Sequence, residues 1–303
     1  MRVLITGING FIGHNVCNWL RKQGCYVIGV DLREECRADC DEYICCDLAS
    51  EKTGTLLDNL KVASIDALVH LAADMRQEPH TVAVVGNNCV GTQRLIELCE
   101  TKKVPVYIQL SSLPVIGHAP THHPITEAHP INPPTVYHVT KHMQELLADF
   151  ATRKFGLRTV SFRITAPVGE GVNPKTIFPI FVRKAVKGET ITLFGKGNRE
   201  QTYIHVYDIA QAIYKAILSE NAHGVYNLSS HNRLSNYDLA KKCVELTNSS
   251  SEIVFTGDPD PLDDVVWDVV LDKIKADMGY EPAISIDQAI LEYAELVRKE
   301  RGM

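Results

Sequence analysis

The sequence predicts an α/β protein: a doubly wound parallel sheet with a smaller mixed α/β lobe at the C-terminal end. Short β-branched runs in the first half alternate with longer segments of helical spacing, the order expected of βαβ units. Those runs are almost continuously apolar, as strands are when helices cover both faces of a sheet. After about residue 165 the alternation loosens into Pro- and Gly-rich loops and shorter elements, which marks the second lobe.

Taken in order, strands are expected at 2–6, 25–31, 43–46, 66–72, 104–111 and 157–163, and helices at 12–23, 80–103 and 135–155. "APVGEGVNPKT" reads as a loop, and "IFPIFVRKAVKG" as a helix ended by Gly188. Two short strands flank the glycine-rich turn of "TITLFGKGNREQTYIHV". A helix at 207–219, a strand at 224–230 and a helix at 235–247 capped by Ser235 follow. The last helix, 284–301, has Ser285 as its cap. The expected division is 1–165, rejoined by about 204–228, for the large domain, and 166–203 with 229–303 for the substrate lobe.

Composition narrows the function. An apolar share of 45% and a net charge of −6 with mixed signs fit a globular protein, and nothing points to a nucleic-acid partner. No apolar stretch approaches the ~20 residues of a membrane span. "MRVLITG" leads straight into a strand without a basic leader, so the expected location is cytoplasmic. The nine cysteines, odd in number, read as reduced thiols. Four fall between 36 and 46, but Cys45 and Cys46 sit on a strand where neighbours face opposite ways, and no C-x-x-C spacing completes a zinc set. His118, His122, His123 and His129 lie in a Pro-broken loop with no ligand spacing, so no metal is expected.

"VLITGINGFIGHNVCNWL" puts Gly7, Gly10 and Gly13 between the first strand and the first helix. Glycines there permit a tight turn, let backbone approach a pyrophosphate and allow close helix–strand packing, while the helix N-terminus attracts phosphate. This is the turn of a Rossmann-type domain. Asp31 ends the second strand, 18 residues after Gly13. An acid there accepts from ribose hydroxyls and repels a 2′-phosphate, which favours NAD over NADP; Arg33 softens that preference. "YHVTK" places Tyr137 and Lys141 four apart on one helix face. A lysine ammonium beside a tyrosine, together with a positive nicotinamide ring, stabilises the phenolate, and such a pair suits taking a proton from an alcohol while hydride leaves.

The chain resembles the extended short-chain dehydrogenases/reductases, the NAD-dependent epimerase/dehydratase family. "TGINGFIG" resembles the family's TGxxGFIG and adds Phe11 and Ile12 to the cofactor set. "CDL" resembles its third-strand acid motif, with Asp47 at the adenine and Leu48 beside it. "HLAA" resembles the segment lining the cofactor through Leu71, Ala72 and Ala73. "NNCVGT" resembles N-x-x-G-T and places Asn88 near the cofactor. "YIHVYDIAQA" and "LDKIKADMGYEP" resemble later family segments. "SSLPVIG" resembles S-S-x-x-V-Y-G and makes Ser112 the catalytic serine beside Tyr137 and Lys141. The resemblance also implies a homodimer packed through helices at about 86–102 and 135–155.

Departures from the family narrow the reaction. Dehydratases carry Asp and Glu after the catalytic hydroxyl; here Leu113 and Pro114 can neither give nor take a proton, which disfavours 4,6-dehydration. The leading expectation is 4-epimerisation of a nucleotide sugar: Tyr137 takes the O4 proton while hydride moves to NAD, the 4-keto sugar turns over, and hydride returns to the opposite face. Leu113 is expected to narrow the space for that turn. The alternatives are a dehydrogenase or ketoreductase of the same family with an unusual substrate, and a non-catalytic nucleotide-sensing protein. The family's diphosphate-binding Asn and two Arg are replaced by Ala166, Gln201 and Pro261, leaving Lys175, Lys196, Arg199 and Arg233 as candidate substitutes.

Overall fold

The structure is a computed structural model and describes every residue except 59, 77, 78, 301 and 303. Strands β1 (Arg2–Thr6), β2 (Tyr26–Asp31), β3 (Glu42–Cys45), β4 (Ala67–His70), β5 (Val106–Ser112) and β6 (Arg158–Ile164) alternate with helices α1 (Phe11–Lys22), α2 (Thr81–Val85), α3 (Gly91–Lys102) and α4 (Val136–Phe155). Then come β7 (Ala166–Val168), α5 (Ile177–Lys187), β8 (Ile191–Leu193), β9 (Glu200–His205), α6 (Val206–Leu218), β10 (Gly224–Leu228), β11 (Arg233–Ser235), α7 (Asn236–Leu246), β12 (Ile253–Phe255), α8 (Asp272–Met278) and α9 (Ile286–Glu300).

The main sheet has seven strands in the order β10-β6-β5-β4-β1-β2-β3, and each neighbouring pair is parallel. Consecutive strand residues face opposite sides, so each strand feeds two cores. Val3 and Ile5 join Val16 and Leu20 of α1 and Ile209 and Ile213 of α6 on one side. Leu4, Ile28 and Leu68 join Leu95 and Ile96 of α3 and Ala151 of α4 on the other. This two-sided burial is why the strands read as unbroken apolar runs. The strand order reverses between β1 and β4, so the crevice at their carboxyl ends is where such a sheet binds ligands.

A separate apolar cluster unites α5, α7 and α9 with β8 and β9, through residues such as Phe178, Leu239, Tyr293 and Tyr203. Small sheets β11-β9-β7 and β12-β8 border it.

Several expectations differ in detail. The predicted helix at 80–103 is α2 and α3 joined by a π turn over Gly86–Val90. The two strands around the 194–199 turn do not pair with each other: β8 pairs with β12, and β9 with β7 and β11. The three-residue strands β7, β11 and β12 and the seven-residue helix α8 are too short to show a period in the sequence. Ser235 and Ser285 cap α7 and α9, accepting from the Asp238 and Gln288 amides. Residue 301, the last of the predicted final helix, lies outside the described residues.

Candidate active site

The glycines after β1 are required by space. An added Cβ on Gly7 (φ +70°) would lie 2.7 Å from the Ala72 backbone, and one on Gly13 would lie 2.1 Å from the Gly7 carbonyl oxygen. Gly10, the exposed N-cap of α1, offers no side-chain cap, and a Cβ there would come within 3.1 Å of the same oxygen. The first amides of α1, at Phe11 and Ile12, therefore open onto a cradle that side chains would fill, and this cradle fits a dinucleotide pyrophosphate. Leu71 and Ala72 form its far wall, bonded through their amides to the Thr6 carbonyl and hydroxyl, and exposed Ala73 follows.

Asp31 stands at the end of β2, half-buried. Its oxygens accept from the Asn9 amide (3.0 Å) and the Arg33 amide (3.2 Å), which fixes the carboxylate and leaves lone pairs free for ribose hydroxyls. The Arg33 side chain is exposed. Asp47 is exposed beyond β3 and closes a turn onto the Ala49 amide, while Leu48 packs where α3 begins at Gly91.

Asn88 lies deeper than the cofactor reading suggests. Its side chain is buried: Oδ1 accepts from the Asp74 amide (2.7 Å), and Nδ2 donates to the Asp74 carbonyl (2.9 Å) and the Thr140 hydroxyl (3.0 Å). It joins a network that the sequence reading missed. His70 bonds Thr6 through Nδ1 (2.7 Å) and Thr92 through Nε2 (3.1 Å), and Gln144 donates to Thr92 (2.6 Å). Burial pushes the His70 imidazole down to about 3, so it is neutral and links β1, β4, α3 and α4. Gln144 and Thr140 occupy the same buried face of α4 as Lys141, the spacing that could have revealed them.

Ser112 closes β5 and precedes a tight turn over Leu113–Ile116. Tyr137 and Lys141 lie in the first two turns of α4, which Thr135 caps through the His138 amide. Lys141 is 4% exposed, donates from Nζ to the Leu110 carbonyl (2.8 Å), and lies 5.8 Å from the centre of the Tyr137 ring. The lysine is thereby tied to the strand that ends in Ser112. Burial pushes the Tyr137 phenol up to about 12. It pushes Lys141 down to about 8, against the pull of Glu145 one turn on. Burial also opposes charge on Glu145, but Arg163 (2.8 and 2.9 Å) and His142 hold its carboxyl down at about 2.

Leu113 corrects one expectation. It is wholly buried in a cluster with Val115, Ile116 and Ile125, so it takes no room from the cleft.

The candidate substrate cations stand among acids. Arg199 lies 3.9 Å from Asp260, and Arg233 lies 3.5 Å from Glu200 and 3.6 Å from Asp268. Asp263 accepts from the amides of Lys196, Asn198 and Arg199, so the 260–264 segment is docked on that turn. Lys175 is exposed in the loop before α5. His129 is buried and used internally, accepting at Nε2 from the Thr121 and His122 amides. Among the described residues, no group of three His, Cys, Asp or Glu is arranged to hold a metal.

Residues 3–229 match the family model described as NAD-dependent epimerase/dehydratase family. A dTDP-glucose 4,6-dehydratase of Streptomyces niveus is 27% identical over 250 residues, covering 82% of this chain and 74% of that protein. The structure resembles UDP-glucose 4-epimerase of Thermotoga maritima, solved with UDP-glucose, at TM-score 0.87, 23% identity and coverage of 99% and 100%. It also resembles UDP-glucuronic acid 4-epimerase of Bacillus cereus, solved with UDP-glucuronic acid and NAD, at TM-score 0.83, 21% identity and coverage of 99% and 100%.

Proposed function

The chain belongs to the NAD-dependent epimerase/dehydratase family, and from that premise we propose that it epimerises a nucleotide sugar at C4. The carrying observation is Lys141 held on the strand of Ser112 and beside Tyr137. Gly7, Gly10, Gly13, Phe11 and Ile12 hold the pyrophosphate of NAD, Asp31 its adenosine ribose, and Asp47, Leu48 and Leu71–Ala73 its flanks. NAD supplies the acceptor and donor of hydride and, when oxidised, a positive ring.

Ser112 holds the reacting hydroxyl, and Tyr137 as phenolate takes its proton. Lys141 as ammonium stabilises that phenolate, which burial alone disfavours. Tyr137 returns the proton once the keto sugar presents its other face. Proton transfer of this kind contributes ~10²–10⁴ in rate. The absence of a second acid and base next to Ser112 supports epimerisation over dehydration: Leu113 faces a core and Pro114 has no proton to give. The nine cysteines, read as reduced thiols, would suit a cytoplasmic enzyme; among the described residues no helix is long and apolar enough to cross a membrane.

A second reading, a dehydrogenase or ketoreductase whose substrate lacks a diphosphate, is favoured by Arg199 and Arg233 lying beside carboxylates. A thermal-shift panel with NAD present separates the two. UDP-, dTDP-, GDP- or CDP-sugars raise the melting temperature under the first reading; no shift with any of them, but net NADH from a free polyol, would establish the second. Tyr137→Phe retains NAD binding and loses turnover under both, so undiminished activity of that variant sinks both.

We further propose a homodimer through α4. Val139, Met143, Leu146 and Phe150 form an exposed apolar stripe at helical spacing, opposite the buried face that carries Lys141.

A further inference from the structure

The loop after β2 carries two thiols that the chemistry above leaves unused. Cys36 is exposed and Cys40 half-buried, and their sulfurs lie 3.5 Å apart. A disulfide holds its sulfurs at ~2.05 Å, so joining the pair draws them together by about 1.5 Å.

The two ends of the loop are held differently. Cys40 rests on β2, its sulfur 3.1 Å from where a Cβ on Gly29 would stand. Next to it, Asp41 is bonded both ways to Val27 (2.9 and 2.7 Å), and Arg21 of α1 donates to the Asp39 carbonyl (2.8 Å). Cys36 sits between two residues gripped by one side chain of the glycine-rich turn. Asn9 donates to the Glu35 carbonyl (2.9 Å) and accepts from the Arg37 amide (2.7 Å). The Asn9 amide also holds Asp31, and the Tyr43 hydroxyl bridges the Asn9 side chain to the Arg33 carbonyl. A pull on Cys36 is thus passed through Asn9 to the carboxylate that receives the adenosine ribose.

We propose that Cys36 and Cys40 form a thiol–disulfide site, and that its oxidation by a low-molecular-weight disulfide weakens NAD binding. This rests on the NAD reading of the cradle beside it. Cys36, the exposed sulfur, loses its proton and attacks one sulfur of the oxidant, forming a mixed disulfide and releasing one thiol. Cys40 then loses its proton and displaces the second thiol. The two protein thiols give up two electrons and two protons, and the oxidant takes up both as two thiols. Burial and the neighbouring Cys36 push the Cys40 thiol up to about 12, consistent with Cys36 attacking first.

The test treats the purified full chain with oxidised glutathione, maps the peptides by mass, and measures NAD binding by calorimetry. The expected result is a 36–40 crosslink with loss of two hydrogen atoms and an NAD Kd raised at least about fivefold, reversed by dithiothreitol. Cys36→Ser and Cys40→Ser each abolish the shift. Cys45→Ser retains it, although Cys45 is also exposed nearby. A glutathione adduct that never resolves into the crosslink, or a crosslink with unchanged Kd, overturns the proposal. Reduced protein that binds no NAD instead overturns the cofactor reading beneath it.

Discussion

Burial acts on Tyr137 and Lys141 in opposite senses, pushing the phenol up to about 12 and the ammonium down to about 8. Both shifts favour neutral groups, whereas the proposed chemistry needs a phenolate beside an ammonium. The positive ring of oxidised NAD is the charge that would bring Tyr137 into range. Lys141 also leaves a signature on stability. An unfolded chain keeps this proton up to the usual 10.5, so between pH 8 and 10.5 it binds more protons here than the folded protein does. Stability therefore rises with pH through that window, by on the order of 3 kcal/mol from this group, and the full penalty stays in place below pH 8. Urea denaturation at pH 8 and pH 10 checks it: the wild type gains stability relative to Lys141→Met between the two, and parallel behaviour refutes the shift. That Tyr137 and Lys141 share one helix was legible because a four-residue spacing is a local feature, whereas Ser112 at the strand end was singled out by its resemblance to the family motif. The protonation of the Tyr137–Lys141 pair was not legible, because it depends on burial by residues far away in the chain.

The turn from β1 into α1 separates two demands made on glycine. Gly13→Ala drives a Cβ to 2.1 Å from the Gly7 carbonyl, so it strains the packing of helix on strand as well as the cradle. We expect it to cost about 2 kcal/mol or more of stability and to abolish measurable NAD binding. Gly10 is exposed and meets the same oxygen at 3.1 Å, so Gly10→Ala weakens NAD binding and moves the melting temperature little. Calorimetry and thermal melts on the two variants distinguish these outcomes; equal melting temperatures would refute the contrast. The large parallel sheet was readable because two-sided burial writes itself as apolar runs. The break between α2 and α3, the pairing of β8 with β12, and the His70–Thr92–Gln144 network were not. Each depends on contacts across long stretches of chain, where periodicity carries no information.

At the scale of the molecule, the α4 stripe predicts association. Analytical ultracentrifugation should find a dimer for the wild type and a monomer for Met143→Glu/Phe150→Glu, whose sites are 43% and 49% exposed in one chain. A wild-type monomer at micromolar concentration would remove the stripe as an interface. Since α4 also carries Tyr137 and Lys141, its partner would brace the helix that bears the proposed proton-transfer pair. The substrate was the least legible property. Ala166, Gln201 and Pro261 were readable as departures from the family, but the acids that meet Arg199 and Arg233 come from elsewhere in the chain. The loop between Ser112 and Tyr137 bears on the same question. Ile125 donates to the Asp268 carbonyl (2.7 Å), while its own carbonyl accepts from the Val270 amide (3.0 Å) and the Asn227 side chain (3.1 Å). These bonds stitch the loop, the end of β10 and the C-terminal segment into one piece. If the chain epimerises a sugar as proposed, this stitching predicts a mould of set width rather than a jaw, and the turning of the keto ring would fall to the sugar, pivoting on its own bonds.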